Sequence, residues 1–114
     1  MRIEKKGNTA VIYQESNDPK GKDFRVAVKA QYKILQDKNI ILVLTELRYV
    51  NAKDIKEFRE LANFHKSNAQ KSFVFVTGPL FLKLLPEDLV TVPTINEAFD
   101  TIEIEEIERD LGYL

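Results

Sequence analysis

One histidine, His65, and no cysteine stand among the 114 residues. Without cysteine there is no thiolate nucleophile, no disulfide, no Fe–S cluster and no Cys–zinc site. One imidazole has no second imidazole with which to hold a metal. His65 falls on the apolar stripe of Ile55, Phe58 and Ala62, and it reads as a helix residue at the edge of the core. The glycines Gly7, Gly21, Gly78 and Gly112 are isolated, so neither a G-x-G-x-x-G turn nor a P-loop is present. No serine sits in a G-x-S-x-G elbow. Glu103, Glu105, Glu106, Glu108 and Asp110 form the densest acidic cluster. They lie without His or Asn beside them on what reads as an exposed helix end, as a solvated surface does. These residues assign no catalytic site, no metal site and no cofactor, and the chain reads as non-enzymatic.

Two surfaces remain, and both need a scaffold to place them. In an open parallel sheet, ligands bind beyond the carboxyl ends of the strands. Here that rim is predicted at residues 45–53, residues 77–80 and Pro93-Thr94. The free N–H groups of Asn51-Ala52-Lys53 favour an anion, while Asp54 in the same turn competes for that role. A small-molecule site, apolar or anionic, would be lined by Thr45, Thr77 and Leu80. The second surface is Leu80-Phe81-Leu82-Lys83-Leu84-Leu85. One side of a short helix hides Phe81, Leu84 and Leu85, which leaves Leu80 and Leu82 pointing outward as an apolar patch of the kind partners cover. Asn51, Lys53, Leu80, Phe81 and Leu82 are therefore the candidate partner-binding residues. The partner is another protein or a second copy of this chain.

The scaffold follows from periodicity. Arg2 to Lys5 and Thr9 to Gln14 read as a hairpin around Gly7-Asn8. Lys22 to Asp37 carries apolar residues at helical spacing. Ile40-Ile41-Leu42-Val43-Leu44 is a strand buried on both faces. Asn51 is an N-cap for a helix over Ala52 to Ala69. Ser72 to Thr77 is a second buried strand, stopped by Gly78-Pro79. One or two helical turns before Pro86 and a short strand at Leu89 to Val92 follow. Thr94 and Glu97 form a capping box. The helix they open buries Ile95, Ala98, Phe99 and Ile102, then continues its apolar residues on a shifted face through Ile104, Ile107 and Leu111. The order is β-β-α-β-α-β-α-β-α, a single α/β domain over residues 1–114 with a four- or five-stranded, mixed, mostly parallel sheet.

Apolar residues make up 44% of the chain and charged residues 31%, which describes a soluble globular domain. Seventeen Lys+Arg face 18 Asp+Glu, so the basic excess of a nucleic-acid binder is missing. The longest aliphatic run, Ile40 to Leu44, is too short to span a bilayer, and the N-terminal residues lack a signal-peptide core. The expected compartment is the cytoplasm, with no nucleic-acid or membrane partner. Charge is uneven: in residues 84–114, Arg109 alone stands against nine acids. This acidic end is either a solvated helix face or the complement of a basic surface.

The element order and the stretch from Ile40 to Ile55 resemble a STAS domain, the fold of anti-sigma-factor antagonists. Thr94-Ile95-Asn96-Glu97-Ala98-Phe99 is similar to the start of that family's last helix. The family's D-S-S-G-L motif carries a serine that a partner kinase phosphorylates. Its positions correspond here to Asn51, Ala52, Lys53, Asp54 and Ile55. Lys53 stands at the phosphoacceptor position, and Val43 stands where the family has the Asp of D-L-S. The resemblance implies a small cytoplasmic regulatory module that binds another protein through this rim and its second helix, without the phosphoswitch. The ending Glu105-Glu106-Ile107-Glu108-Arg109-Asp110-Leu111-Gly112 also resembles that of short bacterial proteins labelled ribonuclease Z. That enzyme needs an H-x-H-x-D-H zinc motif, which one histidine does not supply. The likeness therefore implies a role beside such a nuclease, not its chemistry.

Overall fold

Unbroken β-branched and aromatic runs, whose successive side chains point to opposite faces, build the central strands, and a stripe of period 3.6 builds the helices. The computed structural model describes residues 1–46, 50–79 and 81–113. In chain order the elements are β1 (Arg2–Lys6), β2 (Thr9–Tyr13), α1 (Lys22–Leu35), β3 (Asn39–Val43), α2 (Ala52–Phe64), β4 (Phe73–Val76), β5 (Thr91–Val92) and α3 (Ile95–Asp110). A π-helical turn, His65–Ala69, continues α2, and a 3₁₀ turn, Leu82–Leu84, lies between β4 and β5.

The five strands form one sheet in the order β1-β2-β3-β4-β5. Only β1 and β2 are antiparallel; β2, β3, β4 and β5 run parallel. The register Lys6↔Thr9 leaves Gly7-Asn8 as a two-residue loop. Gly7 has φ +56°, the left-handed first position that a type II′ turn demands and that glycine adopts without strain. Each later strand adds on the same side of its predecessor. Right-handed crossovers then place α1 and α2 on one face of the sheet, and α3, which follows the last strand, covers the other.

Alternate residues of the strands feed two cores. On the α1/α2 face, Ala10, Ile12, Ile40, Leu42, Phe73 and Phe75 meet Phe24, Val28, Phe58 and Ala62. Phe24 and Phe58 make an edge-to-face contact at 6.2 Å. On the other face, Val11, Ile41, Val43, Val74 and Val76 meet Ala98 and Ile102 of α3. All five residues of β3 are buried, as a central parallel strand between two helical layers requires.

Three expectations change. The helix expected between β4 and β5 is only the three-residue 3₁₀ turn. Pro79 and Pro86 bracket this stretch, and neither tolerates a helix interior. Helix α2 does not run on to Ala69 as an α-helix; its last residues widen into the π turn, which closes on Gln70 in the left-handed region at φ 55°. Finally, the second half of α3 does not turn its aliphatic residues into a core. Ile104, Ile107 and Leu111 are 54–62% exposed.

Candidate functional site

At the carboxyl ends of the parallel strands, the start of α2 is organised by a reciprocal cap. Asn51 Oδ1 accepts from the Asp54 N–H at 2.9 Å, and Asp54 Oδ2 accepts from the Asn51 N–H at 3.1 Å. This is the full capping box, formed by an Asn/Asp pair and worth about 0.5–2 kcal/mol. Val50 and Ile55, at the N′ and N4 positions, both pack on the α1/α2 core, the placement of a hydrophobic staple. The second oxygen of Asp54 accepts from Arg25 Nη1 of α1 at 2.9 Å, and both side chains are buried. Glu57 Oε2 lies 2.6 Å from the same Arg25 nitrogen, and its Oε1 lies 2.8 Å from Lys29 Nζ. The hydrogen bond from Lys29 holds the Glu57 carboxyl below its ordinary range against a smaller opposing effect of burial. Asp54 therefore fills the place an anion would take.

The loops of the rim are held in a similar way. Gln14 Oε1 accepts from the N–H groups of Thr45 and Glu46, both at 2.8 Å, and so ties the loop after β3 to the end of β2. The hollow beside it, about 260 Å³, touches Glu15, Ser16, Asp18 and Lys20. That is below the usual span of small-molecule sites, about 300–1,000 Å³. Thr45 is exposed and Thr77 is buried, and Leu80, the third expected lining residue, lies outside the described residues. The strand order β2 to β5 never reverses, so the rim has no switch-point crevice of the kind that takes nucleotides.

Asn51 and Lys53 are exposed at this rim; Asn51 has its side chain engaged as the cap, and Lys53 has none of its charge within a cap or core. Phe81 and Leu82 are half-buried and Leu85 is buried, while Leu84 is 68% exposed. This corrects two expectations drawn from an α-helical period, Leu84 placed inward and Leu82 placed outward. Leu82 to Leu84 take a 3₁₀ turn instead, flanked by Phe81 and Leu85 on the core, with Leu82 half-buried and Leu84 exposed. Leu84 and Leu85 border a shallow hollow of about 400 Å³ against Ala52, Ile55, Lys56 and Arg59 of α2. Arg59 Nε is fixed by Asp88 at 2.7 Å.

The opposite end of the sheet carries polar groups that neither spacing nor composition identified. His65 is wholly buried, not at the core edge. Its Nε2 lies 2.8 Å from the Lys38 carbonyl and its Nδ1 2.9 Å from Tyr32 Oη. A carbonyl only accepts, so Nε2 carries the proton and Tyr32 donates to Nδ1. Burial pushes the imidazole below its ordinary pKa, and the Lys38 hydrogen bond opposes this. The ring also packs edge-to-face on Tyr32 and Phe73, so His65 ties α1, α2 and β4 together.

Close by, Asn39 Oδ1 accepts from the Ser72 N–H and Asn39 Nδ2 donates to Glu106. Ser72 Oγ donates to Glu105 at 2.6 Å and accepts from Arg109 at 3.1 Å. Two acids expected as solvated surface, Glu105 and Glu106, thus anchor α3 to the first residues of β3 and β4. A hollow of about 510 Å³ opens here between Asn63, Lys66, Ser67, Gln70, Glu105 and Arg109. Among the described residues, no group of three or more His, Asp or Glu side chains is placed to hold a metal. No helix among them is long and apolar enough to cross a membrane. Compared with known proteins, the chain matches no family model and no curated protein.

Proposed function

We propose that this chain is a non-enzymatic, cytoplasmic protein-interaction domain of STAS-like build. In this reading its working surface is the rim where α2 starts beside the 3₁₀ turn. The observation that carries the reading is Leu84, 68% exposed at the border of a shallow hollow lined by Ala52 and Ile55 and flanked by the cations Lys56 and Arg59. An exposed leucine at the mouth of such a hollow is the form of an anchor site for a partner side chain. Lys53, exposed in the same first turn of α2, puts a cation where the resembling family has a phosphorylatable hydroxyl. Recognition here would then not be switched by phosphate at that position. Phe81 and Leu82 act as the turn's inward supports.

The test is a photo-crosslinking residue placed at Lys53 or at Leu84, with the same residue at Lys5 as control, in the source cell. A protein adduct from positions 53 and 84 and not from position 5 supports the reading. Adducts from none of them, or equally from all three, reject it.

The hollow at the opposite end favours a second reading, a small-molecule site. Its volume suits a small ligand, and Lys66 and Arg109 face it with two amides, Asn63 and Gln70. The chemistry fits a small organic anion at this end of the sheet, rather than at the carboxyl rim. Citrate is a suitable probe: a chemical-shift change at Lys66 and Arg109 that Lys66→Gln removes favours this reading, and its absence excludes it.

A further inference from the structure

Eight large apolar side chains are exposed among the described residues, and five of them lie on just two helix faces. On α3 they are Ile104, Ile107 and Leu111, spaced i, i+3 and i+7, the spacing of a helix face that meets another helix. On α1 they are Val26 and Ile34, 52% and 69% exposed, with the exposed Ala30 midway between them. Both stripes point away from the sheet, because the opposite sides of the same helices supply Ala98 and Ile102, and Phe24 and Val28, to the two cores.

The charges around the stripes are of opposite sign. Helix α3 holds seven acids and one cation, and that cation, Arg109, is turned inward to Ser72. Helix α1 holds four cations and one acid, Asp23; of the four, Arg25 is buried on Asp54 and Glu57, and Lys29 is paired with Glu57. Lys22 and Lys33 are exposed beside its stripe. Two α3 faces set against each other would oppose acid to acid, so a symmetric α3–α3 dimer is disfavoured. The complement that α3 asks for is present on the same molecule, but on the far face of the sheet, where its own α3 cannot reach.

We propose that the outer face of α3 in one copy packs on the outer face of α1 in another. The contact is head-to-tail, so it leaves one free α1 and one free α3 at the ends and extends into a chain or closes as a ring. Only three stripe residues on each side make a small, weak contact, one that shows at high concentration. This surface is separate from the α2 rim and stands or falls independently of it.

Sedimentation velocity of the full chain, from micromolar to several hundred micromolar, tests the proposal. The wild type should rise above monomer mass at low salt and fall back toward it at about 0.5 M salt, where the screening length is about 4 Å. Ile107→Asp alone and Ile34→Asp alone should each stay monomeric, with circular dichroism and melting unchanged because both positions are exposed. Mixed together they should form a dimer and stop there, since one variant keeps an intact α1 and the other an intact α3. A symmetric dimer would not be restored by mixing. A wild type that stays monomeric throughout overturns the proposal. So does association lost in Ile107→Asp but kept in Ile34→Asp, which would give α3 a different partner.

Discussion

The two faces of the sheet are built on different principles. The α1/α2 face is thick and aromatic, with two helices, four buried phenylalanines and the edge-on packing of Tyr32, His65 and Phe73. The α3 face is thin and aliphatic, with one helix laid on five β-branched strand residues. Polar groups differ in the same way. The first face locks a buried ion pair and a buried imidazole inside it, whereas α3 is held mainly at its carboxyl-terminal end by Ser72, Asn39 and their acids. The sheet is thus a stable platform on one side and carries a lightly attached, acidic helix on the other. Both sides leave apolar residues outward: Val26, Ile34 and Phe64 on the helices of the thick side, Ile104 and Ile107 on α3.

The largest effects should separate the faces. Phe58→Ala on the thick face should cost about 3–5 kcal/mol, and Ile102→Ala on the thin face about 2–3 kcal/mol, by urea denaturation. Hydrogen exchange should sharpen this: α3 amides opening well before those of α2, through local rather than global unfolding. Equal protection of α2 and α3 would erase the contrast.

The helix starts come next. Asp54→Ala removes a cap and one of the two carboxylates on the buried Arg25, while Glu57 stays 2.6 Å from the same nitrogen, so a loss of about 2–4 kcal/mol is expected. Thr94→Ala removes a single exposed cap bond and should cost about 1 kcal/mol. Thr94 Oγ1 accepts from the Glu97 N–H and donates to Glu97 Oε2. The Glu97 carboxylate meets the hydroxyl, not the Thr94 N–H, so the capping box expected there is only half made. Thermal melts of the two variants should differ by several degrees.

The smallest effect is a pH dependence confined to the thick face. The folded His65 pKa lies below its ordinary 6.5. Above pH 6.5 the imidazole is neutral in both states and its contribution is complete. As pH falls through 6.5 the unfolded chain takes up the proton first, so stability declines until the lower folded pKa is reached. His65→Gln should flatten this part of the urea midpoint against pH. A further decline below pH 4.5, where the lowered Glu57 carboxyl gains protons in the unfolded chain first, should survive in that variant.

The strands and the three helices were legible because burial on two faces imposes a simple period. Ile40 to Leu44 and Phe73 to Val76 could not be other than central strands. Asn51 was legible as a cap because capping is local. What stayed hidden was non-local. Arg25 and Asp54 are 29 residues apart, and nothing in either stretch marks the partner. Gln14 reads as an ordinary polar residue until the loop after β3 comes to lie beside it. His65 looked like a stripe residue, yet its role depends on Tyr32 and Lys38 of another element. Leu84 was misplaced because Leu82 to Leu84 take a tighter turn than an α-helix. Asn51 and Lys53 are exposed at the start of α2, and the hollow on that helix is bounded by Leu84 and Leu85, not by Leu82.

The unreversed strand order also bears on how the chain is made. A ribosome delivers β1 first and α3 last, and each new strand docks beside the one just delivered. No strand waits for a distant partner, and the thick face closes as soon as α2 and β4 emerge. The other face must wait. Until the final helix is released, Val11, Ile41, Val74 and their neighbours form a bare aliphatic surface on an otherwise finished sheet. Such surfaces draw chaperones or other nascent chains. The interval before α3 clears the ribosome and docks is therefore the one in which this sheet is most open to such encounters.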